Sequence, residues 1–159
     1  MLLTRIRTVL RSPETLTDAM LASVVLLRAL YDMRNSPTGS LVDVKPAGAP
    51  ADTSRPLDAV KVQHARRWER AMRRAVRALP VTTTCLGRAV ALHRLLNRRN
   101  VTGSQVCIGV QREAGEFTAH AWVELDGLLL GDSRDAVQKW TPFGRASVAG
   151  AVPSTSERS

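Results

Sequence analysis

Apolar residues recur every three or four positions in two long stretches of the first half of the chain, and this spacing predicts two helices. The first helix should run from about residue 14 or 15 to Arg34. Its buried side should consist of Leu16, Met20, Val24, Leu27 and Tyr31. The second helix should cover residues 56–79, because Pro56 suits the first position of a helix. Its apolar stripe comprises Leu57, Val60, His64, Trp68, Met72, Ala75 or Val76, and Leu79.

The segments around these helices are short or irregular. Residues 1–11 are basic and apolar and predict a further short helix. Residues 35–55 are rich in proline and glycine and predict a mobile loop, with at most a short extended piece at 41–44. The longest apolar run, residues 19–27, falls far short of the roughly 20 residues needed to span a bilayer, so we expect no membrane span.

A third stretch of apolar residues at helical spacing begins at a cysteine. Three threonines, residues 82–84, precede it, and a threonine oxygen can accept an unpaired N–H group of a first turn. Apolar residues then follow at helical spacing up to Leu96, and Asn100 suits the C-terminal cap. The sulfur of Cys85 would lie in the first turn, where the partial charge of the helix stabilises a thiolate. Without further residues to support a reactive thiol, a small buried cysteine is the commoner case and the favoured interpretation of Cys85.

An Asp-Gly pair at residues 126–127 predicts a hairpin between apolar and aromatic strands, the first at residues 117–125. A two-residue loop would pair Ala121 with Asp132 and put His120 on the opposite face. A three-residue loop with the glycine in a bulge would pair His120 with Asp132, with Cβ atoms roughly 4.5–5.5 Å apart. We therefore expect the three-residue loop, which sets a carboxylate beside an imidazole.

Cys85, His120 and Asp132, in this order, supply a nucleophile, a base and a group that orients the base. His93 lies eight residues after Cys85, about 12 Å along the helix axis, so we interpret it as a structural or surface residue. His64 belongs to an apolar stripe and is interpreted as a core or interface histidine. The three site residues could ligate zinc, but no paired Cys-x-x-Cys or His-Glu-x-x-His spacing occurs, so we expect no metal.

Two segments within residues 85–133, CLGRAVALHRLLNRRNV and VCIGVQREAGEFTAHAWVELDGLLLGDS, closely resemble the leader peptidases of lasso-peptide biosynthesis, in the transglutaminase-like superfamily. The resemblance implies an α+β, papain-like fold whose N-terminal half is helical. The catalytic cysteine would begin a helix that packs on a small antiparallel sheet. It also implies a triad of Cys85, His120 and Asp132, without a cofactor. The implied activity is removal of the leader peptide from a ribosomally made precursor through a Cys85 thioester.

A chain of 159 residues is expected to form one domain. We expect a helical region over residues 1–80, the catalytic helix and sheet over 81–145 and a flexible tail over 146–159, with Trp140 and Phe143 packing back. Members of the resembled family carry a leader-binding winged-helix module or leave leader binding to a separate small protein. Because the first 80 residues lack a strand-rich start, the resemblance implies the protease-only form. Its partners would be the precursor, a leader-binding protein in trans and an ATP-dependent macrolactam synthetase.

The formal net charge of +9 raises nucleic acid as a partner, since the helix within residues 61–77 carries a strongly basic side. A solvated face is the plainer explanation of such a run. Aromatic residues make up only 4%, and no zinc-finger or RNA-binding signature occurs, so we expect no nucleic acid. An acyltransferase of the same superfamily and a non-enzymatic basic binding protein stay open as alternatives. With two cysteines and no secretory signal, we expect reduced thiols in a cytoplasm, with Cys107 as a packed thiol.

Overall fold

The structure is a computed structural model that describes residues 13–35, 42–46, 58–113 and 115–148. Its elements, in chain order, are α1 (Pro13–Asn35), β1 (Val42–Pro46), α2 (Ala59–Ala78), α3 (Cys85–Arg98), β2 (Ser104–Glu113), β3 (Glu116–Leu125), β4 (Leu128–Leu130), α4 (Arg134–Gln138) and β5 (Thr141–Val148). The helix predicted over residues 1–11, most of the predicted loop around β1 and the end of the chain lie outside the described residues.

The described strands form one antiparallel sheet in the order β1-β5-β2-β3-β4. β1 corresponds to the short extended piece expected near residues 41–44, and it pairs with β5. β5 was not predicted, and it runs through Val148, past residue 146 where we expected the tail to begin. Because β1 comes from the first half and β5 from the end of the chain, a single sheet ties the two halves together.

The long helices cover one face of this sheet. α1 packs against both α2 and α3, and α3 in turn packs on β2 and β3. Alternation along β3 points Ala121, Val123 and Leu125 into this core, where they meet Leu95 and Leu96 of α3. The predicted combination of a helical N-terminal part with a small antiparallel sheet is therefore confirmed, and the fold class is α+β.

The predicted buried side of α1 is wrong. Met20, Val24, Leu27 and Tyr31 are exposed, with between 43% and 69% of their surface accessible. The buried side instead comprises Asp18, Ala22, Val25, Leu26 and Ala29. Small alanines allow the neighbouring helices to approach closely, and Arg67 of α2 binds both carboxylate oxygens of Asp18, at 2.6 and 3.1 Å. This bidentate ion pair fixes the rotation of α1 about its axis.

Helix α2 begins at Ala59, later than the predicted start at Pro56, and the side chain of Asp58 caps it by accepting from the Val60 N–H. Its buried face consists of Ala65, Trp68, Glu69, Ala71, Met72 and Ala75. Of the two alternatives for His64, a core or an interface histidine, the core alternative is wrong, because the residue is exposed; the interface alternative stays a prediction. The buried face is centred one residue further along, where Ala65 allows α2 to pack closely.

Helix α3 starts and ends as predicted. Thr84 is the N-cap, and its hydroxyl accepts from the Gly87 N–H at 3.0 Å. Asn100, just beyond the helix, has a φ of 57°, the left-handed conformation that ends helices. A Cβ at Gly87 would lie 2.9 Å from Leu30 Cδ2, so α1 packs directly against the first turn of α3. Cap and packing together fix the position of Cys85.

A buried polar network links α3 to β2 through His93. Its Nδ1 lies 2.9 Å from the Ser104 hydroxyl, and its Nε2 lies 3.1 Å from Nδ2 of Asn97. Since the amide Nδ2 of Asn97 donates, Nε2 accepts, and Nδ1 carries the proton and donates to Ser104. Burial, with the nearby charge of Arg94 as a second cause, lowers the pKa of His93 to about 4. The interpretation of His93 as a structural residue is confirmed.

This network should make stability depend on pH. The folded state keeps His93 neutral down to a pKa of about 4, whereas the unfolded chain takes up the proton near 6.5. The contribution of His93 is therefore fully present above about pH 6.5 and is lost as the pH falls towards 4. The loss should amount to roughly 3 kcal/mol of unfolding free energy.

Urea unfolding of the wild type and of His93→Gln between pH 7.5 and 4 measures this loss. The variant should be less stable at pH 7.5 and less sensitive to acid, because glutamine does not titrate. Equal pH dependence in the two proteins would show that His93 does not cause the effect.

Candidate active site

The contact expected between His120 and Asp132 is present. Nε2 of His120 lies 3.2 Å from Oδ2 of Asp132, and both side chains are half-buried. An ionised carboxylate can only accept, so the neutral imidazole carries its proton on Nε2 and leaves the Nδ1 lone pair free. The arrangement therefore holds His120 in one tautomer, with Nδ1 as the available base.

The register that leads to this contact differs from the expected one. Leu125 pairs with Leu128, so the hairpin loop has two residues and the predicted three-residue loop is wrong. Asp126 and Gly127 have φ values of 47° and 83°, the left-handed pair of a type I′ turn. Aspartate tolerates this conformation better than most residues, which permits the tighter loop.

Asp132 reaches His120 because strand pairing stops before it. β4 ends at Leu130, and the following Gly131 has a φ of 89°, which glycine adopts without strain. The chain leaves the strand register at this point, so Asp132 no longer follows the alternation of faces. A regular strand would have placed the carboxylate opposite Ala121 instead.

Glu69 of α2 stabilises the backbone at Gly131, where the chain leaves β4. Its Oε1 accepts from the Gly131 N–H at 3.2 Å, and its carboxylate also pairs with Arg66 and Arg73. Glu69 is buried, whereas the sequence predicted a solvated basic face on the polar side of α2. No local pattern signalled this role, because the contact joins residues 62 positions apart.

Two tryptophans flank the imidazole of His120. The Trp140 ring centroid lies 5.3 Å away and that of Trp122 lies 6.2 Å away, both within about 25° of parallel. Gly109, directly across from His120 on β2, leaves the space for them: a Cβ there would lie 2.7 Å from Trp140 Cβ. Trp140 packs back as predicted, whereas Phe143 is exposed, so that part of the prediction is wrong.

Cys85, the first residue of α3, borders a cavity of about 100 Å³. Asp132, Ala121 and Trp122 border the same cavity, whereas His120 is not among the described residues that line it. Much of the remaining wall is apolar, with Glu69, Arg73 and Arg88 as charged members. Within the described residues, no hydrogen bond joins Cys85 to His120. The structure therefore brings His120 and Asp132 together, and Cys85 shares the cavity with Asp132 but not with His120.

The second cysteine has a different environment. Cys107 is buried in β2, as predicted for a packed thiol. Burial raises the pKa of Cys107 to about 12, and the carboxylate of Glu124 adds to the effect. The Cys107 thiol is therefore protonated and unreactive at neutral pH.

The described residues contain neither a candidate metal cluster nor a candidate membrane span. Outside the masked segments, no cluster of three or more His, Cys, Asp or Glu side chains has a geometry that could hold a metal ion. Among the helices that the structure describes, none is long and apolar enough to cross a bilayer.

Comparison with protein families matches residues 23–145 to the transglutaminase-like superfamily, whose enzymes usually depend on a cysteine. The matched range contains Cys85, His120 and Asp132 together with the helix and hairpin that carry them. No curated protein and no solved structure matches the chain. Because the family match covers well over half of the sequence, the chain belongs to the transglutaminase-like superfamily.

Proposed function

We propose that this chain is a cysteine peptidase that removes the leader peptide from a lasso-peptide precursor through a thioester on Cys85. The observation that carries the proposal is the His120–Asp132 pair beside the cavity where Cys85 begins a helix. Membership of the transglutaminase-like superfamily supports cysteine-dependent acyl chemistry. The resemblance of residues 85–133 to lasso leader peptidases supports the choice of substrate.

The chemistry follows from the tautomer of His120. Nδ1 removes the thiol proton of Cys85, and the thiolate attacks the scissile carbonyl carbon to form a C–S bond. Asp132 stabilises the resulting imidazolium through Nε2–H. The imidazolium then donates its proton to the leaving amine as the C–N bond breaks. Water, deprotonated by Nδ1, attacks the thioester, releases the leader as a carboxylic acid and regenerates the thiol.

The developing oxyanion requires hydrogen-bond donors near Cys85. In the first turn of α3, the Gly87 and Arg88 N–H groups already bind Thr84. The N–H groups of Cys85 and Leu86 have no acceptor within the described part of the chain, and we assign the Cys85 N–H as one oxyanion donor. The indole N–H of Trp122 is not available, because it donates to Glu124 at 2.9 Å.

The alternative of nucleic-acid binding through the basic side of α2 receives less support. Lys61 pairs with Asp126, Arg67 with Asp18, and Arg66 and Arg73 both pair with Glu69. These carboxylates offset much of the charge that suggested a phosphate-binding surface. The remaining cations on this helix fit a solvated face.

The first prediction concerns the nucleophile. Cys85→Ala should lose roughly a thousandfold or more in precursor cleavage, because no other thiol can form the thioester. Cys107→Ala is the matched control and should cleave at nearly the wild-type rate. Mass spectrometry of the released leader measures both, and a free carboxylic acid at its end separates hydrolysis from acyl transfer. A fully active Cys85→Ala protein would end the peptidase proposal.

The second prediction concerns the His–Asp pair. Iodoacetamide near pH 7 should label Cys85 and leave Cys107 unlabelled, since burial keeps the Cys107 thiol protonated. His120→Ala should lose both Cys85 labelling and cleavage. Asp132→Asn should keep a fraction of the activity, roughly a hundredfold below wild type, because an orienting carboxylate is only partly required. Cys85 labelling that is unchanged in His120→Ala would remove His120 from the role of base.

The third prediction concerns a partner. We propose that this cytoplasmic enzyme cleaves poorly alone and needs a leader-binding protein in trans, which holds the precursor at an effective concentration of roughly millimolar. A subsequent ATP-dependent synthetase would close the macrolactam ring. Purified chain and precursor, with and without the leader-binding protein, should differ at least tenfold in leader release measured by mass. Efficient leader-specific cleavage by the chain alone would place leader recognition within these 159 residues.

A further inference from the structure

Strand β3 has an open edge beside the candidate active site. β3 spans ten residues, but β4 spans three and pairs only with residues 123–125. No described strand therefore lies on that side of residues 116–122. On its other side β3 is paired with β2 along its whole length.

The two hairpins show which backbone groups point to the open side. Leu125 and Leu128 close a two-residue turn, so Leu125 directs its N–H and C=O towards β4. Alternation gives Ala121, Ala119 and Phe117 the same direction. The hairpin between β2 and β3, closed by Glu113 and Glu116, leads to the same assignment, because it directs the even-numbered residues of β3 towards β2.

These backbone groups have no partner among the described residues. In a continued β4 the next residue to pair with β3 would be Asp132, but β4 ends at Leu130. Residues 116–119 are all exposed, and Phe117 has 73% of its surface accessible. Exposed edges are usually protected by lysine, proline or a bulge, but residues 117–121 read FTAHA and contain none of these.

We propose that this β3 edge, the outward N–H and C=O groups of Phe117, Ala119 and Ala121, binds an extended segment of the peptide substrate by strand addition. The inference rests on the proposed peptidase function and deepens it. We assign the substrate as the occupant because the edge is continuous with the candidate active site. The same strand carries His120, and Ala121 borders the cavity that Cys85 also borders. A peptide paired with Phe117 and Ala119 would make about four backbone hydrogen bonds and lead into that cavity.

If the substrate adds a strand at this edge, only every second substrate residue should form backbone hydrogen bonds with β3. Only every second residue of a paired strand directs its N–H to the neighbouring strand, so the intervening residues face away. Backbone pairing also depends on the extended conformation of the peptide more than on the identity of its side chains. A partner surface that recognises side chains would respond to side-chain substitution in the peptide, and N-methylation of the peptide backbone separates the two cases.

Amide hydrogen exchange in the Cys85→Ala protein tests the edge without requiring turnover. The probes are overlapping peptides of about ten residues that tile the candidate precursor. A binding peptide should slow exchange at Phe117 and Ala119 by about tenfold or more, and leave Thr118 and His120, already paired with β2, almost unchanged. N-methylation of the bound peptide should weaken binding at alternate residues only. The proposal would be overturned if N-methylation weakened binding equally at every peptide residue, or if exchange at Phe117 and Ala119 were not slowed.

A backbone variant tests the same edge during catalysis. Ala119→Pro removes one outward N–H and should lower kcat/KM for the precursor about fivefold to tenfold, mainly through KM. Iodoacetamide labelling of Cys85 should not change, because the reagent does not use the edge. Thr118→Val, which keeps the backbone N–H facing β2, is the neighbouring control and should cleave like the wild type. Unchanged KM in a folded Ala119→Pro protein would contradict strand addition.

The outcomes separate this proposal from the peptidase function. Alternating protection, with no cleavage by the wild type even when the leader-binding protein is present, would support the edge and end the peptidase proposal. Normal cleavage without protection would end the edge proposal alone. Sedimentation of the free protein tests for a second copy as the occupant: a concentration-dependent dimer abolished by Ala119→Pro would assign the edge to self-association and overturn the substrate assignment.

Discussion

The arrangement of the candidate site depends on one buried carboxylate. Glu69 accepts from the Gly131 N–H and is itself neutralised by Arg66 and Arg73. Without those two cations, burying the Glu69 charge would cost several kcal/mol, so the basic side of α2 is partly a structural requirement of the site. Through this contact, a helix from the first half of the chain holds Gly131, where the chain leaves β4 just before Asp132. The His120–Asp132 pair is thus built by long-range packing as well as by the hairpin that carries it.

Local signals in the sequence predicted a large part of this structure. The helix from Cys85, its Thr84 cap and the left-handed Asn100 all follow from capping preferences that act within a single turn. The contact between His120 and Asp132 was also predicted, but for the wrong reason. Sequence rules chose between two hairpin registers, whereas the real chain adopts the tighter turn and then breaks the strand at Gly131. A strand that ends early leaves no periodic signal, because three residues are too few to establish one.

The wrong predictions for α1 and β5 share a cause: local sequence patterns do not determine which apolar surface is buried by a distant part of the chain. α1 is apolar around much of its circumference, and the face that carries Ala22 and Leu26 is buried together with Asp18, which pairs with Arg67 of α2. β5 escaped prediction because TPFGRASV alternates weakly and includes glycine and proline. Its place between β1 and β2 in the sheet is decided by pairing with these two strands, which lie far away in sequence.

The shortness of β4 has two consequences that would otherwise need separate explanations. Stopping at Leu130 frees Asp132 from the strand alternation, so its carboxylate reaches the side of β3 that carries His120. The same stop withdraws β4 from residues 116–122 and leaves the backbone of Phe117 and Ala119 unpaired. A longer β4 would satisfy that edge and return Asp132 to the register opposite Ala121, away from the imidazole. An unprotected edge normally carries an aggregation risk, and here it is the necessary companion of the His–Asp contact.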